Sequence, residues 1–180
     1  MLAFIGIFIY VAVRFQDWSY ALGGIVALVH DSLMVIAFFP IARLFGLHLE
    51  MDQVFVASIL TIIGFSINDT VVIYDRIREY LTDNPRLKFR DIVNPALNDT
   101  FSRTIITSLT VFFVVIILFI FGGETLRGFS YAMIIGVLFG SYSSLFIATP
   151  ITLETDPDKR RDKKMNAIVP TPVPAQQKVR

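Results

Sequence analysis

The chain has 180 residues, of which 54% are hydrophobic and 17% charged, with a mean hydropathy of +0.65. A soluble domain is about 45–50% apolar and about 25% charged, so this balance excludes an ordinary soluble globule. Cys is absent, which excludes disulfide scaffolds, thiolate metal sites and Cys nucleophiles, and a net charge of +1 gives no overall pull toward nucleic acid.

Apolar runs alternate with short charged stretches, and a spanning helix needs about 20 mostly apolar residues. The pattern predicts five helices, at about 1–14, 20–46, 54–76, 96–121 and 128–151, forming a transmembrane bundle over 1–154. The fold class is therefore all-α, a polytopic membrane helix bundle. The first run, MLAFIGIFIYVAV, has no basic residue before its apolar core and ends in Val13-Arg14-Phe15. It does not read as a signal peptide. It reads as the later part of a spanning helix, which makes the chain look like the C-terminal piece of something longer. The third helix is expected to continue past Asp75 until Asn84-Pro85 breaks it. Asn94-Pro95 reads as an N-cap followed by Pro at the first helical position of the fourth helix. That helix places Leu97, Phe101 and Ile105 on one face. Gly122-Gly123 reads as a helix stop. Residues 155–180 carry Pro157, Pro170, Pro172 and Pro174 with few large apolar groups, and are expected to be a disordered cytoplasmic tail.

With five crossings, 14 of the 16 basic residues fall on one side, in segments 14–19, 75–103 and the tail. Only Arg43 and Arg127 fall on the other. Short cytoplasmic loops carry the Lys/Arg excess, so the C-terminus and the 75–102 segment are expected to be cytoplasmic.

Charged groups inside apolar runs are costly and need a reason. Asp69 lies about five residues from the cytoplasmic end of the third run, roughly 7–8 Å deep at 1.5 Å per residue. Ser66 shares its face, one turn earlier. Arg103 enters the next helix at a comparable depth, with Thr107 and Thr110 making a polar stripe beyond it. Asp69 and Arg103 can pair, and two readings stand: a proton-sensitive switch, in which desolvation and a moving guanidinium act oppositely on one carboxyl, or a static staple between helices. Asp31, beside His30 and with Gly24 and Ala27 on its side, reads either as a second protonatable site or as a helix–helix hydrogen bond. Gly136, Gly140 and Ser144 form a small-xxx-small pattern for close helix packing; with Ser141 and Ser143 they can alternatively wall a proton or water path. No phosphate loop, catalytic triad or metal cage is visible. No enzyme activity, cofactor or metal is expected, nor nucleotide hydrolysis by this chain.

The run GFSINDTVVIYDRIRE at 64–79 and the run NDTFSRTIITSLT at 98–110 resemble the SecF family of bacterial protein-export membrane subunits. LVHDSLMV at 28–35 and the stretch beginning GGETLRGFSYAMIIG are similar to that family as well. The likeness covers about residues 1–155. It implies membership of the resistance-nodulation-division superfamily of proton-driven machines. It also implies a bacterial inner-membrane location, a SecD-like partner, association with the SecYEG channel, and precursor proteins as the translocating substrate. In that family the Asp of S-[IV]-N-D-T and the Arg of F-S-R-T are tied to proton coupling. They match Asp69, preceded by Asn68, and Arg103, and a further family Asp falls on Asp31. The family normally has an additional helix and an exported domain before the part that residues 1–13 resemble. Two other functions remain open: a small-molecule efflux transporter of the same superfamily, and an assembly subunit in which the Asp–Arg pair only staples helices.

Overall fold

The computed structural model describes residues 2–44, 46, 49, 51–84 and 87–155. The tail expected over 155–180 lies, beyond Thr155, outside the described residues. Helix α1 is Leu2–Phe15, α2 is Trp18–Leu44, α3 is Gln53–Asp83 and α4 is Phe89–Phe121. Helix α5 is Gly123–Ser143. It runs through one π-helical turn, Ser144–Ala148, into the short α6, Thr149–Glu154. No strand occurs among the described residues. Helices α2, α3 and α4, and the continuous α5–π–α6 rod, are each long and apolar enough to cross a membrane, whereas α1 is shorter.

Local chemistry explains most of the ends. Asp52 caps α3, its carboxylate accepting the Phe55 N–H at 2.9 Å. Asn84 closes the other end of α3, its backbone N–H reaching the Tyr80 carbonyl. Helix α1 stops at Gln16, a non-glycine residue with φ of 55°. A single residue, Gly122, separates α4 from α5, and Gly123 follows with φ of 74°, which suits glycine far better than any side chain. The expected helix stop is therefore present, but the next helix starts at once and not at residue 128.

The start of α4 differs from expectation. It begins at Phe89 after Lys88, and Pro95 sits inside it, so Asn94 is not a cap. Proline removes one intrahelical hydrogen bond and crowds the carbonyl four residues back. Packing offsets this. Phe89, Ile92, Val93 and Ala96 are all buried, and Phe89, Val93 and Ala96 join an apolar cluster with Phe15, Tyr20, Ile73, Tyr74 and Ile77. At 31 residues α3 is about 46 Å long, well beyond the roughly 30 Å hydrocarbon layer. Helices α3 and α4 are thus both longer than the apolar layer is thick.

The rod starting at α5 is the centre of the bundle, packing on α2, α3 and α4. Its small residues permit this. A Cβ added to Gly136 would lie 2.4 Å from Ile62 of α3, and one added to Gly140 would touch Ser66 at 3.4 Å. On α2, a Cβ at Gly23 would meet the backbone oxygen of Ala148 at 2.5 Å. The core has two apolar clusters. One is the Phe15–Tyr20–Tyr74–Phe89 group near the α3–α4 connection. The other contains Val35, Phe39, Phe55, Ile62, Met133 and Val137. Between them lies a belt of polar side chains.

Candidate functional site

The polar belt draws on α2, α3 and α5. Asp31 of α2 is fully buried. One carboxylate oxygen accepts the Ser66 hydroxyl at 2.6 Å and the Ser143 hydroxyl at 2.8 Å, while the other lies 3.2 Å from His30 Nδ1. Three helices therefore converge on one carboxylate, and His30, partly exposed, closes its outer side. Close approach at Gly140 makes room for it: a Cβ there would stand 3.7 Å from Asp31 Oδ2. Beside this cluster Thr70 Oγ1 and Ser144 Oγ are 2.9 Å apart, and the Ser144 hydroxyl also reaches the carbonyls of Gly140 and Ser66. Ser144 opens the π-helical turn. Such turns are frequent at functional sites because they offset the helix ladder by one residue.

Asp69 is one turn along α3 from Ser66 and only 4% exposed. Its surroundings are opposite in kind. The Oδ2 atom is sealed from solvent and has no hydrogen-bond partner among the described residues. Neighbouring Asn68 is exposed, and it borders a cavity with Gly6, Tyr10 and Val71.

Arg103 and Asp69 do not close an ion pair: the structure brings them within electrostatic range but not into contact. Arg103 is exposed and lines a polar cavity of about 450 Å³ between α3 and α4, together with Val72, Asp75, Arg76, Glu79, Asp99 and Thr100. Thr107 and Thr110 return their hydroxyls to carbonyls of their own helix on its outer side. The polar stripe of α4 that faces the bundle is Thr100, Thr104 and Ser108, all buried, with Ser108 hydrogen-bonded to Ser141. That stripe has the i, i+4, i+8 spacing of a helix face and lies one phase away from the expected stripe of Arg103, Thr107 and Thr110.

Sequence reasoning also missed a charged cluster on the α3–α4 hairpin. The Arg76 guanidinium donates to Asp99 Oδ2 through two nitrogens, and to Glu79 at 2.6 Å. Tyr80 donates its hydroxyl to the same Asp99 oxygen at 2.8 Å. Arg14 of α1 pairs with Asp75 at 3.1 Å.

Four long apolar crossings around buried carboxylates define a polytopic helical membrane protein, with no cluster of metal-ligating side chains among the described residues. The chain belongs to the family described as protein export membrane protein SecD/SecF, C-terminal, which matches residues 1–157. It is 50% identical over 153 residues to the protein translocase subunit SecF of Rhodothermus marinus, covering 84% of this chain and 49% of that one. It is 46% identical over 155 residues to the SecDF protein of Bacillus subtilis, covering 84% of this chain and 20% of that one. Among solved structures, SecDF in its super-membrane-facing form superposes with a TM-score of 0.74 at 37% identity, over 89% of this chain and 21% of that one. The chain thus spans about half the length of the SecF relatives it matches.

Proposed function

We propose that this chain is the membrane portion of an auxiliary protein-export subunit that uses the proton gradient to assist translocation across the bacterial inner membrane. In this reading Asp69 carries the proton and Arg103 is its mobile counter-charge. Asn68 and Asp31 flank the path. A SecD-like subunit is the partner, consistent with the fused SecDF relatives and structures. The SecYEG channel and translocating precursors complete the assembly. The basic-residue asymmetry supports a cytoplasmic C-terminus and a cytoplasmic α3–α4 hairpin.

The observation that carries the reading is the sealed Asp69 Oδ2, which has no hydrogen-bond partner among the described residues and stands near a cation on the next helix. A buried polar atom without a hydrogen bond is costly and calls for an explanation, and an ionisable group inside a spanning helix is a functional-site hypothesis by default. Burial and the Arg103 field act oppositely on the carboxyl, so movement of Arg103 or entry of water can change its charge. The relatives are named as translocase subunits, which favours transport over covalent catalysis. The small-molecule efflux reading finds no support in those names.

Asp69→Asn keeps shape and removes titration. In a full-length background it is expected to abolish gradient-dependent stimulation of precursor export, while the protein still inserts. Export with unchanged gradient dependence would show that Asp69 is structural.

A further inference from the structure

Arg103 is the only basic residue lining its cavity that lacks a carboxylate partner among the described residues, although a carboxylate stands four residues before it on the same helix. Asp99 and Arg103 are at i and i+4, and an acidic residue one turn N-terminal to a basic one is the favoured order for an intrahelical ion pair. In the structure Asp99 is engaged by the other helix of the hairpin and not by Arg103. Its Oδ2 takes both Arg76 contacts and the Tyr80 hydroxyl, all from α3. The other acidic groups of the cavity are committed too. Asp75 is held by Arg14, and Glu79 by Arg76.

We infer that Arg76 is a positioning residue that occupies Asp99 and thereby leaves Arg103 free to act on Asp69. The inference rests on the proton-coupling reading for its consequence, but its geometry stands apart from it. Arg76 belongs to α3, the helix that carries Asp69, and Asp99 to α4, the helix that carries Arg103. The clasp therefore spans the two helices and takes up the local competitor in one contact. Without Arg76, Asp99 and Glu79 both lose their cation. Asp99 then captures Arg103 across one turn of its own helix and draws it toward the hairpin end, away from Asp69.

This makes a suppressor prediction that a simple brace does not. Arg76→Gln should weaken gradient-dependent export, as removal of Arg103 itself should. Adding Asp99→Asn removes the competing carboxylate and should restore it, and Asp99→Asn alone should stay close to the parent. If the contact were only a brace, Asp99→Asn would damage the protein as much as Arg76→Gln, and the double variant would be no better than either.

A second measurement does not depend on export. Reaction of Asp69 with a carbodiimide in native membranes, read by mass on the peptide carrying residue 69, reports how Arg103 screens that carboxyl. Arg76→Gln should change the rate by about threefold, the equivalent of a surface ion pair, and the double variant should return it to the parental value. An unchanged rate in Arg76→Gln, or a double variant that stays with the single one, overturns the inference. If the rates behave as expected while Asp69→Asn exports normally, the proton-coupling reading fails and the clasp stands.

Discussion

Asp31 and Asp69 are the same residue type at nearly the same burial, and they lie on adjacent helices on either side of Ser66. Asp31 is fully buried and receives two hydroxyls, from α3 and α5, with a histidine nitrogen at its second oxygen. Asp69 is 4% exposed, and its sealed oxygen receives nothing among the described residues. Burial alone therefore does not define the role of an intramembrane carboxylate. The number of donors facing each carboxylate is what separates the two sites. A carboxylate that already accepts two hydroxyls from neighbouring helices gains little from a new partner. One that lacks a donor is stabilised by any arrival, whether a proton, water or a guanidinium.

The sharpest way to break the comparison is to remove the satisfied carboxylate. Asp31→Leu leaves the Ser66 hydroxyl without its acceptor and takes away the shared node of three helices. We expect a loss of about 2–3 kcal/mol, read by SDS titration of the purified protein in micelles. A loss below that of a typical surface substitution would mean that the node does not hold the helices.

Single donors should cost less and in a definite order. Ser66→Ala removes the 2.6 Å contact, and we expect about 1 kcal/mol. Ser143→Ala should cost about half as much, because its hydroxyl also lies 3.1 Å from the Gly140 carbonyl and is not dedicated to Asp31. Unfolding of the two single variants and the double variant forms a cycle. Coupling between them would show that both bonds draw on the one oxygen, Asp31 Oδ2.

Much of this arrangement was legible before any coordinates. Asp31, Asp69 and Arg103 stand out because charge inside an apolar run is rare, and Gly136 and Gly140 because small residues recur at one-turn spacing. Ser66 could be placed on the Asp69 face from periodicity. What periodicity could not supply was azimuth between helices. Ser66 faces Asp31 and not Arg103, and the bundle-facing stripe of α4 is Thr100, Thr104 and Ser108. Nor could local rules place the start of α4. Pro95 reads as a boundary on its own, and only the burial of Phe89, Ile92 and Val93 carries the helix through it. The π-helical turn left no local signature, and the Arg76–Asp99 clasp joins residues 23 positions apart across the hairpin.

The smallest expected effect decides the comparison most cleanly. Asp69→Asn replaces the carboxylate with an amide of nearly the same shape. The sealed oxygen has no hydrogen bond to lose among the described residues, so the usual cost of deleting a polar contact is absent. The substitution also removes any charge that the protein must hold out of water at that depth. Against this stands the lost attraction of Arg103, which is not in contact with Asp69 and is itself exposed, so that term is small. The amide brings N–H donors that need acceptors, and helix carbonyls keep a second lone pair for them, as the Ser66 carbonyl does for the Thr70 and Ser144 hydroxyls. The sum should fall within about 0.5 kcal/mol of the parent, or slightly above it, by the same SDS titration that reports a large loss for Asp31→Leu. If Asp69→Asn unfolds as readily as Asp31→Leu, then Asp69 holds the helices together, and the distinction between a satisfied and an unsatisfied carboxylate loses its meaning here. A stable Asp69→Asn protein has the opposite consequence: any loss of gradient-dependent export in that variant then belongs to the chemistry of the carboxyl and not to a disordered bundle.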